Sequence, residues 1–112
     1  MNFETEIYED VAIVIFQDES LDASGSKSFK ENIAPVLDKN LKVVFDLSNL
    51  QFTDSSGLGA ILSCLRKLNS EGGDLKLSCV TKPVRALFEL VRMHKIFDIF
   101  NTREEAIKAF DA

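Results

Sequence analysis

The chain has 112 residues, a length that fits one domain, residues 1–112, with a modest core. It is 46% hydrophobic, with nine Phe and no Trp, a composition of globular α/β or α+β proteins that argues against disorder. A formal net charge of -5 repels phosphate backbones and anionic lipid heads, so nucleic acid and bare membrane are poor partners.

In chain order, "FETEI" alternates as a strand does, and "VAIVIF" is a second strand after a tight turn at Glu9-Asp10. The two pair as a hairpin. The opening "MNFETEIYED" is too acidic and too alternating for a signal peptide, and no apolar run reaches the length of a bilayer. The polar connector "QDESLDASGSK" follows, and then Phe29, Ile33, Val36 and Leu37 recur at helical spacing. Pro35 inside that pattern predicts a kink or an early end. "LKVVFDL" is the third strand, and its continuous apolar centre predicts burial on both faces.

The second helix carries Leu58, Ile61, Leu62, Leu65 and Leu68 on one stripe and stops at Gly72-Gly73. "DLKLSCV" is a fourth strand. Thr81-Lys82-Pro83 opens a third helix with Val84, Leu87, Phe88 and Val91 as its stripe. "IFDIF" is a last short strand. "TREEAIKAF" is a last helix, with Thr102 and Glu105 spaced as a capping box. The order β-β-α-β-α-β-α-β-α predicts an α/β fold: a mixed, mostly parallel β-sheet with helices packed against it. In such sheets function gathers beyond the carboxyl ends of the strands.

The run Asp54-Ser55-Ser56-Gly57-Leu58-Gly59 leaves the third strand at that end. Glycine weakens a helix and serine adds little to one, so helix stability does not explain the choice. At about 100° per residue, Ser56 points away from the Leu/Ile stripe, with Gly59, Ala60 and Ser63 on or near its side and Lys67 a turn further. Asp54 and Ser55 are candidates for the cap. An exposed serine at a helix start suits a phosphate, because free N–H groups and the macrodipole favour an anion. Phosphorylation would add about -1.5 to -2 charge to a contact surface, with Asp54 and Asp22 adding to the repulsion, and would break binding rather than the fold. The glycines would leave the serine uncrowded. From spacing alone, the same residues read first as a plain capping turn.

Other chemistries find little support. Gly57 and Gly59 are too short for a dinucleotide fingerprint, no GKS or GKT follows, and Ser56 lies in no GxSxG elbow. The single histidine, His94, reads as a surface residue at a helix end. Cys64 and Cys79 form no CxxC and read as buried, reduced thiols of a cytosolic protein. The expectation is a non-enzyme with no catalytic residue, no metal site and no cofactor.

The stretch "VVFDLSNLQFTDSSGLGAIL", the Gly-Gly-x-Leu turn and the late "LFEL…IF" resemble the STAS domain of bacterial anti-sigma factor antagonists over nearly the whole chain. The resemblance implies the STAS fold and a cytoplasmic phospho-switch in transcription regulation by partner switching. The unphosphorylated form would bind an anti-sigma factor that is also a serine kinase, releasing a sigma factor. That kinase would phosphorylate the serine before the first glycine, here Ser56, and a separate phosphatase would restore the binding form. Leu21-Asp22 matches the family's Leu-Asp step, which implies Asp22 and Ser24 as contacts. Binding is expected over those two and Asp54, Ser55, Gly57, Leu58, Gly59, Ala60 and Ser63, with no direct membrane insertion. Val91-Arg92-Met93 departs from the family, which often has glycine there. The alternative is a non-phosphorylated STAS subunit of a lipid-transport ABC complex.

Overall fold

In the computed structural model, residues 1–111 are described. Phe3–Tyr8 (β1) and Val11–Phe16 (β2) form the antiparallel hairpin, with Glu9 at the turn in the left-handed region, φ 57°. Lys42–Asp46 (β4), Asp74–Ser78 (β6) and Asp98–Phe100 (β7) add to β2 in parallel, giving the order β1-β2-β4-β6-β7. The mixed, mostly parallel α/β sheet is therefore as the element order predicts. Two short strands were not legible in the sequence: Ser20–Leu21 (β3) and Phe52–Thr53 (β5), which pair in parallel as a separate ribbon.

The helices are Ser26–Lys39 (α1), Ser55–Ser70 (α2), Lys82–Leu90 (α3) and Arg103–Ala109 (α4). The main core lies between the sheet and α1–α3. It joins Ala12, Val14, Phe16, Val43, Phe45, Leu75 and Leu77 of the strands to Phe29, Ile33, Ile61, Leu65, Leu68, Val84 and Phe88 of the helices. Phe16, Phe29 and Phe45 meet at tilted or edge-on angles, with ring centroids 5.0 to 6.1 Å apart. Such contacts add about 0.5–1.5 kcal/mol per pair beyond the area they bury. The opposite face of the sheet carries Val11, Ile13 and Val44 under Ala106 of α4. Val43, Val44 and Phe45 thus face buried layers on both sides, the pattern a continuous apolar strand requires.

Pro35 does not end α1, which continues to Lys39. Pro35 and Glu31, whose carbonyl loses its usual donor, are both exposed, so solvent can satisfy that group. Ile33 and Leu37 are buried on either side of the break and hold the last turn to the core. Val91 falls just past the end of α3 and is exposed, outside the stripe expected of it. Arg92 takes a left-handed conformation, φ 61°, before a 3-10 turn at Met93–Lys95. The chain therefore keeps, without glycine, a turn for which glycine is the unstrained residue. His94 is half-buried in this turn, not on the surface, and its Nδ1 is sealed from solvent without a hydrogen-bond partner. Cys64 is buried, and burial pushes its thiol up to about 12. Cys79 is only half-buried, because the strand ends at Ser78 and Cys79 turns away with φ 58°. At the chain's end Thr102 Oγ1 accepts the Glu105 N–H at 3.1 Å, as the capping spacing predicts.

Candidate functional site

The carboxyl ends of β2 and β4 lead into two connections that are laced together. The strands β3 and β5 align Ser20 with Phe52 and Leu21 with Thr53. The buried Thr53 hydroxyl donates to the Leu21 carbonyl at 2.7 Å. Beyond Leu21 the chain makes a compact turn. One Asp22 carboxylate oxygen accepts the Ser24 N–H at 3.0 Å and the Ser24 hydroxyl at 2.6 Å. Those two bonds, the hydroxyl first, hold the Asp22 carboxyl below its ordinary pKa, so it is charged at neutral pH. The Asp22 carbonyl accepts the Ser26 N–H and so leads into α1.

Asp54, not Ser55, caps α2. Its backbone is extended, and one carboxylate oxygen accepts the Gly57 N–H at 3.0 Å. The other oxygen accepts the Ala23 N–H, also at 3.0 Å. One side chain thus ties the helix to the Asp22–Ser24 turn. With Asp54 as the cap, Ser55 and Ser56 are free of that duty, and both are exposed. Ser56 points outward, as its place on the helical wheel predicts. The N–H groups of Ser55 and Ser56 lie in the first turn, where a helix has no internal acceptors.

The remaining expected contact residues divide. Asp22, Ser24, Asp54, Ser55, Gly59 and Ser63 keep at least part of their surface in solvent at this end of α2 or in the adjoining turn. Gly57, Leu58 and Ala60 do not: all three are buried, so they shape the surface from below rather than offer contact. Gly57 is there for close approach, since a Cβ on it would collide with the Leu21 carbonyl oxygen and Thr53 Oγ1. Contrary to the expectation from sequence, Gly57 does not serve to uncrowd Ser56. Gly59 fits that idea, with open space where its Cβ would be. Ala60 is fully covered as a member of the main core. Sequence reasoning missed Phe52, which is 52% exposed beside this end of α2. An aromatic residue in a polar connector was the available signal.

A model of the STAS domain matches residues 2–106. The chain belongs to the STAS domain family. Among relatives, it is 38% identical over 65 residues to an anti-sigma F factor antagonist of Paenibacillus polymyxa. That match covers 58% of this chain and 56% of the relative, little more than half of its length. It is 34% identical over 92 residues to BtrV of Bordetella bronchiseptica, named as an anti-sigma factor antagonist, covering 80% of this chain and 78% of that one. A crystal structure from Thermotoga maritima, described as an anti-sigma factor antagonist, superposes with a TM-score of 0.87. It is 27% identical, over 98% of this chain and 95% of that chain. The STAS fold is thereby shown from sequence and structure alike. Among the described residues, no helix of this STAS protein is long and apolar enough to cross a membrane.

Proposed function

We propose that this STAS protein is an anti-sigma factor antagonist, switched by phosphorylation of Ser56. The observation that carries the reading is the exposed Ser56 in the first turn of α2, with capping left to Asp54. The free first-turn amides and the macrodipole accept a phosphate without strain on the fold. The charged Asp22 and the Asp54 carboxylate sit in the adjoining segments, so an added dianion raises repulsion at the contact surface. The names of the relatives supply the partner class, an anti-sigma factor. The finer reading makes that partner the serine kinase that modifies Ser56, with a separate phosphatase reversing the step. Contact runs over Asp22, Ser24, Ser55, Ser56, Gly59 and Ser63, and Phe52 adds an exposed aromatic of the kind that anchors interfaces.

The deciding experiment is incubation with ATP, Mg²⁺ and each anti-sigma factor kinase of the chain's own genome, followed by mass mapping. One phosphate on Ser56 is expected. Phosphate on Ser55 or Thr53 instead overturns the assignment, and no phosphate from any kinase overturns the switch.

A further inference from the structure

We infer that Asp54 is a positioning residue for partner binding, acting through Ala23 rather than by touching the partner. The inference rests on the binding role proposed above. The turn at Asp22–Ser24 is shaped internally by the Asp22 carboxylate, which accepts from Ser24 twice. Those bonds give the turn its form but do not say where it lies relative to α2. Upstream, Leu21 is held by Thr53, and downstream, Ser26 is held in α1. Ala23 lies between them, exposed, and its N–H reaches Asp54 Oδ2 at 3.0 Å.

The same carboxylate holds the Gly57 N–H through Oδ1. Its two oxygens therefore set the turn that carries Asp22 and Ser24 at a fixed offset from the helix end that carries Ser56. Both bonds run to a charged acceptor, the stronger class of hydrogen bond. Without the Ala23 bond, the turn samples other positions in the free protein, and the partner must order it on binding.

Asp54→Ser separates the two duties. A serine hydroxyl caps a helix well, but it brings one oxygen where the carboxylate brings two. In the isolated protein, the Ala23 amide is expected to exchange at least about tenfold faster, while the α2 amides keep their protection. Affinity for the unmodified protein's anti-sigma factor kinase is expected to fall about tenfold, the effect of one lost charge-assisted bond. A double-mutant cycle with Asp22→Ala separates positioning from contact. Positioning predicts that Asp54→Ser adds little once Asp22 is gone, whereas a direct contact predicts additive losses.

If Asp54→Ser frays α2, Asp54→Asn serves in its place: its carbonyl keeps the cap and its NH₂ meets the Ala23 N–H donor to donor. Wild-type affinity with a deprotected Ala23, an Ala23 amide that stays protected, or an additive cycle overturns this inference alone. A wild-type chain that binds none of the kinases overturns the functional reading and this one with it.

Discussion

Gly57 lies so close to Leu21 that a side chain on it would drive into the Leu21 carbonyl oxygen, with the carbonyl carbon only 3.1 Å from the new Cβ. The obstacle is backbone, held by the β3–β5 pairing, and backbone cannot swing aside as a side chain can. The glycine is therefore the condition for α2 to start beside the Asp22–Ser24 turn. Gly57→Ala is expected to destabilise the fold by about 2–3 kcal/mol. Gly59→Ala, in open space on the same helix, is expected to stabilise it by about 0.5–1 kcal/mol through helix propensity. Urea denaturation of the two variants checks the contrast. Equal effects would mean the close approach does not limit packing.

Under the proposed switch, substitutions at Ser56 are expected to separate binding from folding. Ser56→Ala should bind the kinase and never release it on addition of ATP. Ser56→Asp should bind weakly. Both should keep wild-type stability within about 0.5 kcal/mol, since the residue is exposed and is not the cap. Thermal melts alongside titration calorimetry read both properties. Unfolding of Ser56→Asp would sink the account in which charge acts at the surface.

Arg103 at the start of α4 bonds through Nε to Asp46 at the end of β4, 2.5 Å away, and through Nη1 to Glu6 of β1 at 3.0 Å. The Asp46 side chain is 4% exposed, whereas Glu6 is open to solvent. Arg103→Ala leaves Asp46 buried with the Ser48 N–H as its remaining donor, and is expected to cost about 3 kcal/mol. Glu6→Gln removes a solvated pair and is expected to cost under about 1 kcal/mol. Chemical denaturation distinguishes the two. Equal losses would show that burial of Asp46 is unimportant.

Lys76 is buried on the α4 face between Asp74, at 3.1 Å, and Asp98, at 3.0 Å, with its ammonium 4.9 Å from the Phe110 ring centre. Burial pulls its pKa down, but the Asp98 and Asp74 carboxylates outweigh it, and the net shift is upward from 10.5. A raised folded-state pKa favours the protonated lysine in the native protein. The resulting stability is complete below pH 10.5 and is lost as pH rises through the folded-state value. Wild type should therefore lose more stability than Lys76→Met between neutral pH and pH 11. Parallel losses in the two melts would remove Lys76 from the alkaline transition.

The main elements, their order and the outward direction of Ser56 were legible in the sequence because each follows from local periodicity. Apolar residues at a spacing of 3.6 or 2 mark which side of an element is buried, and Ser56 stands opposite the Leu58–Ile61–Leu65 stripe. The capping residue Thr102 is likewise a local signal, fixed by Glu105 within one turn, whereas Thr81 at the start of α3 donates its hydroxyl to the Leu50 carbonyl, 31 positions away.

What the tertiary structure decided are meetings between segments far apart in the chain. A helical wheel puts Ala60 near the Ser56 side of α2, and its complete burial came only with the packing. Two-residue strands such as β3 and β5 are too short to carry a period, and exist only because they pair with each other. The bond from Ala23 to Asp54 spans 31 positions, and that from Arg103 to Asp46 spans 57. Such bonds depend on where the sheet delivers its strand ends. Periodicity tells an element which side to hide; only assembly of the sheet determines what it hides against.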